Sequence, residues 1–135
     1  MDFELSQDTI SRPAGADLRT NQYQFVKLNA TGKVILCTAA GETAIGVLQN
    51  KPNTGEAAIV CVNGPSKVVV SAALNPADFI ATDAAAKAKA VTRLIQASGN
   101  ASYVMGFIIS PVTTAANQIA AAFIQSMGIR PTADV

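Results

Sequence analysis

The sequence predicts a small, mainly β domain: an antiparallel β-barrel or β-sandwich with an extended N-terminal arm and little helix. Three observations point there. Apolar runs of roughly five to eight residues recur at close spacing, a strand length rather than a helix length. Clusters of Gly, Pro, Asn and Asp separate them. The runs follow one another without the longer helical segments that would alternate with strands in an α/β chain. The 135 residues suit one domain, long enough to bury roughly two-thirds of the unfolded chain's surface.

Residues 1–20 carry no clean periodicity and include Pro13 and Gly15, so they read as an arm. The β-rich body is expected over 21–127, with a loose tail over 128–135. Its first strand is Gln22 to Leu28 (QYQFVKL), with Tyr23, Phe25 and Val26 directed inward. A turn at Asn29–Gly32 leads to a strand at Lys33–Cys37. Another turn, at Ala40–Glu42, leads to a strand at Ala44–Leu48. The stretch Gln49–Gly55 (QNKPNTG) reads as a loop. Glu56–Val62 and Ser66–Val70 follow, parted by Asn63-Gly64-Pro65. Asn-Gly between β-branched runs is a strong hairpin signal, because both residues tolerate positive φ. In Asp83–Leu94 (DAAAKAKAVTRL) the alanines favour helix by propensity, while the alternation of Ala86, Ala88 and Ala90 with Lys87, Lys89 and Val91 suits a strand. The closing runs are Tyr103–Ile109 and Gln118–Gln125, joined by a loop at Pro111 and two threonines.

Composition narrows function. The chain contains no histidine, which removes serine and cysteine triads built on histidine and histidine acid–base chemistry. Net charge is +1, from ten basic and nine acidic residues placed singly, so no basic run offers a nucleic-acid surface. No segment reaches the ~18–20 apolar residues of a membrane span. The opening MDFELSQDTISRP lacks the basic and then apolar regions of a leader, so synthesis in the cytoplasm is expected. Cys37 and Cys61 sit inside apolar runs and read as buried, unpaired thiols. Asp78 and Asp83 lie in turn-like sequence and read as capping residues rather than as a catalytic pair. No phosphate loop and no Gly-x-Ser-x-Gly elbow occurs. The expectation is a protein without catalytic residues, cofactor or metal. Only 14% of residues are charged against 50% hydrophobic, below the ~25% charge usual in soluble domains. That balance points to an oligomer with apolar surface between subunits.

Several segments together resemble one family. Gly15-Ala16-Asp17-Leu18, Gln22–Leu36 (QYQFVKLNATGKVIL), Ala44–Ala58 (AIGVLQNKPNTGEAA) and the valine-rich Ser66–Val70 (SKVVV) are similar to tailed-phage capsid decoration, or cement, proteins, a group long catalogued as a domain of unknown function. The resemblance spans roughly Gly15 to Gln125. Where that group usually has Gly-Asp before a short strand, this chain has Asn75-Pro76-Ala77-Asp78.

The resemblance implies a β-rich structural protein on the outer surface of a phage head, stabilising the shell. Its partners would be the major capsid protein and copies of itself, most often as trimers. It would be located on the virion after assembly in the host cytoplasm. The N-terminal arm is then expected to dock on the shell through Phe3, Leu5, Ile10 and Leu18, by adding a strand to a neighbour's sheet edge. Two alternatives are a particle-displayed β-rich adhesion or binding module and a head–tail connector component.

Overall fold

The structure is a computed structural model that describes residues 7–91, 102–110 and 115–130. Among the described residues there are nine strands: β1 (Asp8–Pro13), β2 (Phe25–Leu28), β3 (Val34–Leu36), β4 (Gly46–Leu48), β5 (Ala57–Val69), β6 (Phe79–Thr82), β7 (Ala88–Ala90), β8 (Ser102–Ile108) and β9 (Ile119–Arg130). No helix occurs among the described residues. All strand pairings are antiparallel, in the order β3-β2-β4-β5-β9-β8-β6-β7, with β1 added to β5. The sheet curls into a half-barrel, and the mainly β expectation holds.

The long strand β5 organises the sheet. Cys61 pairs with Thr9 of β1 and Val47 of β4, while Asn63 pairs with Asp8 of β1 and Gln125 of β9. One edge of β5 therefore carries β1, and the other carries first β4 and then β9. Between those partners the register slips: Thr9 opposes Cys61 and Asp8 opposes Asn63, leaving Val62 as the extra residue of a bulge. Because side chains alternate along a strand, one extra residue exchanges the two faces. Cys61 points into the main core before the slip, and Val68 and Val70 do so after it.

That main core fills the concave side of the sheet with Phe25, Val47, Leu74, Ile80, Met105 and Ile124 among others, all buried. A second cluster covers the opposite face of β2, β4 and the first half of β5, where Val26, Leu48, Ala58 and Val60 pack against Ala14 and Leu18. A smaller third cluster joins Ala81, Val91 and Val104.

Several sequence expectations need correction. Asn63-Gly64-Pro65 does not reverse the chain. Residues 57–69 form one continuous strand, in which Gly64 keeps a positive φ of 114° and Pro65 pairs with Phe123. The conformational freedom expected of that glycine is used beside a bulge instead of in a hairpin. The first body strand starts at Phe25 and not at Gln22, because Tyr23 takes a left-handed φ of 68°. The arm is not separate from the body between residues 8 and 18, since β1 pairs with β5 and Ala14 and Leu18 enter the core. At the other end β9 runs to Arg130, paired with Ser102, so 128–130 belong to the sheet.

Two segments left open by the sequence take definite form. Residues 83–87 form a turn around Asp83, whose carboxylate accepts the amides of Ala85 and Lys87 at 2.8 Å each. That turn leads into β7, so 88–90 are extended; residues 92–94 lie outside the described residues. At Asn75–Asp78 the missing glycine is replaced by Ala77 itself, which adopts φ 73° while Asp78 caps the Asn75 amide at 2.9 Å.

Candidate functional site

A groove of about 390 Å³ opens between the end of β1, the Tyr23 turn and the second half of β5. Gln7, Tyr23, Gln49, Ser66, Lys67 and Ile109 line it, with Pro65 and Ala121. Gln49 is its hub. Its amide nitrogen donates to the Ser66 hydroxyl at 2.8 Å and to the Val47 carbonyl at 3.0 Å, and its oxygen accepts from Gln7 Nε2 at 3.3 Å. Gln7 also donates to the Pro65 carbonyl at 2.6 Å. Lys67 Nζ lies 5.7 Å from the centre of the Tyr23 ring, in cation–π range. These groups form a network of neutral hydrogen-bonding groups and one cation. None is a general base or an activated nucleophile.

Beside the groove the convex face of the second half of the sheet is apolar. Direct cross-strand pairing aligns Pro65, Phe123, Phe107 and Phe79 in one row across β5, β9, β8 and β6. Phe107 and Phe123 stack with ring centroids 5.7 Å apart. Ile109 and Ile119 border this row at 48% and 53% exposure. Sequence reasoning did not single out this face. The signal was in Gln118–Gln125 (QIAAAFIQ), where both alternating sets, Ile119-Ala121-Phe123 and Ala120-Ala122-Ile124, are apolar. An alternating strand that faces water on one side would carry polar residues in one set.

The titratable groups act as structural ties. Arg19 forks onto Asp17 at 2.7 and 2.9 Å and holds that exposed carboxyl down at about 2. Lys27 meets Glu42 at 2.8 Å. Burial pushes the Glu42 carboxyl up, but hydrogen bonds from Lys27 and the amides of Ala39 and Thr38 outweigh it and hold it below its ordinary range. Cys37 and Cys61 are free and buried. Burial pushes the Cys37 thiol to about 12 and raises Cys61 as well, which disfavours the reactive thiolate. Asp78 and Asp83 cap turns, as their sequence context suggests. Among the described residues no group of three or more His, Cys, Asp or Glu could hold a metal ion, and no helix is long and apolar enough to cross a membrane.

The four arm residues separate. Phe3 and Leu5 lie outside the described residues. Ile10 sits on β1 at 38% exposure, available to a partner. Leu18 is 2% exposed and packed among Val26, Val34 and Leu48 of its own chain, so it is a core residue and not a docking residue. With this geometry in hand, comparison with known proteins adds no relative: no protein-family model matches the chain, and no curated protein matches it.

Proposed function

We propose that this protein is a capsid decoration, or cement, protein that binds the outer surface of a phage head and stabilises the shell as a homo-oligomer, most often a trimer, against the major capsid protein. The observation that carries this reading is the stacked Phe107–Phe123 pair with the half-exposed Ile109 and Ile119 beside it. An apolar face of this kind on a rigid sheet marks a protein-binding surface. The sequence similarity described above supplies the identity of the partner. A protein of this type gains avidity by touching several shell subunits at once, so each contact can be weak. Cryo-electron microscopy of heads assembled with and without the protein tests it. Extra density at local threefold positions is the expected result, and bare heads in both samples would overturn the reading.

A β-rich binding module is the second reading, favoured by the groove, where Tyr23, Lys67 and two glutamine amides converge. Saturable binding of a soluble glycan that protects the groove from hydrogen exchange would favour it over the first.

A further inference from the structure

The curled sheet covers two of its margins with its own chain. At β3, Ala14 bridges Val34 and the Gly15 amide donates to the Val34 carbonyl at 2.8 Å. At β7, Val70 bridges Ala88 and the Ser71 amide donates to the Ala88 carbonyl at 2.9 Å. The outer margin of β1 has no such backbone cover among the described residues, only the Arg12 side chain reaching the Gly32 carbonyl at 3.0 Å, and all six of its residues are exposed. Hydrogen-bond phase identifies the groups it presents. Ala14, in phase with Arg12 and Ile10, donates toward β5 at the Glu56 carbonyl. The Ile59 carbonyl of β5 faces the other way, accepting from Gln49. Alternation then directs the amides and carbonyls of Thr9 and Ser11, and the carbonyl of Pro13, to the open margin.

We propose that β1 pairs antiparallel with β1 of a second copy of this chain, about a two-fold axis at Ile10. This register sets Thr9 opposite Ser11 of the second copy, so the outward amides and carbonyls exchange both bonds of the pair. It also sets Asp8, which accepts from Asn63 at 3.4 Å, opposite Arg12 of the second copy, twice by symmetry, and Ile10 against Ile10. Arg12 thereby exchanges the neutral Gly32 carbonyl of its own chain for a carboxylate. Opposite charges directly across a strand pair stabilise it, and like charges do the reverse. The neighbouring in-phase registers lose this match. Centring on Ser11 puts Asp8 against Ala14, and centring on Thr9 puts Asp8 against Ile10. An exposed strand edge invites another chain unless it is blunted by lysine, a central proline or a covering segment. Here proline stands only at the end, and the centre is Thr-Ile-Ser. Six residues a side make a small contact, well under the roughly 1,000 Å² of a stable interface. It therefore forms where copies are already crowded together. The contact rests on the sheet geometry alone and stands apart from the decoration reading.

Disulfide trapping at high protein concentration tests it. Across this two-fold Ile10 faces its counterpart in a pair without hydrogen bonds, with Cα atoms about 4.5 Å apart, inside the roughly 4.4–6.8 Å that a disulfide spans. Under mild oxidation Ile10→Cys should yield a covalent dimer, while the native thiols stay buried. Ser11→Cys, whose copies lie beyond about 7 Å in this register, should link at least roughly tenfold more slowly. Adding Asp8→Arg to Ile10→Cys should slow the linkage, and adding Arg12→Asp as well should restore it. Thermal melting of each variant confirms that the fold is kept. No covalent dimer from Ile10→Cys, equal linkage by Ser11→Cys, or indifference to the charge reversal would overturn the pairing. The margin would then belong to a strand of a different protein or to none.

Discussion

The two halves of the sheet are built on different terms. In β2, β4 and the first half of β5, neighbouring residues are buried on opposite faces: Phe25 with Val26, Val47 with Leu48, and Val60 with Cys61. In the second half of β5 and in β9, burial alternates, and the outward set is only partly covered: Val69 beside Val68, Phe123 beside Ala122. The difference is made by a few residues of the N-terminal segment. Ala14 and Leu18 lie over the outer face of the first half, whereas on the second half Phe107 and Phe123 stay only half-buried and Ile109 and Ile119 are about half exposed. A sheet can thus complete one outer face from within its own chain and offer the other to a partner.

The largest expected effect breaks the covered half. Leu18→Ala empties a site where the side chain is 2% exposed among Val26, Val34 and Leu48. Losing that packing and leaving a cavity should cost about 2–5 kcal/mol, measured by denaturant unfolding. If Leu18 instead served a partner, the isolated variant would unfold as the parent does, and only partner binding would suffer.

Next is the bulge that joins the halves. Gly64 is buried at φ 114°, inside a strand that changes partners from β4 to β9. Gly64→Val should destabilise by about 1–3 kcal/mol, because a β-branched residue resists that backbone conformation. A melting temperature equal to the parent's would show that the strand can pass from one half to the other without the special geometry.

These two residues also show what was legible beforehand. Most strands followed from local runs and turns, with shifted ends, but β1 was read as an arm, β6 fell outside the expected runs, and two expected strands merged into β5. The Asn63-Gly64 signal was real as chemistry, since the glycine does take positive φ. A hairpin and a bulge make the same local demand on the chain, and only pairing with distant β9 decides between them. Leu18 was visible as an apolar residue of the arm, read there as a docking residue. Its burial depends on a sheet face assembled from residues 26–60, which no local pattern contains. The groove was invisible for the same reason: Gln7, Gln49 and Ser66 are far apart in sequence and ordinary in type.

A smaller effect separates the halves by pH. Glu42 accepts from Lys27 at 2.8 Å and from the amides of Thr38 and Ala39, tying the β3–β4 connection to β2. Its pKa is depressed in the fold, so its contribution is present above its ordinary value of 4.5 and is lost as pH falls below that. Acidification from pH 6 to 3.5 should weaken the fold through this group, and Glu42→Gln should abolish that part of the pH dependence. Hydrogen exchange should report loosening at residues 34–48 before residues 102–108. Simultaneous loosening of both regions would mean that the halves unfold as one unit and differ only in surface.

The smallest expected effect on stability is at the uncovered face, and it sharpens the comparison most. Ile109 and Ile119 are about half exposed, so their apolar surface is already largely in water in the isolated protein. Ile109→Ser with Ile119→Ser should therefore shift unfolding by no more than about 0.5 kcal/mol each, far less than Leu18→Ala. The same pair should raise solubility and lower self-association in light scattering, because the apolar border of the phenylalanine row is interrupted. Lower self-association with an almost unchanged unfolding free energy is the signature of a face that serves a partner. Should the double variant unfold several kcal/mol more easily, these isoleucines would be packing residues of the chain's own fold. The second half of the sheet would then be as self-sufficient as the first.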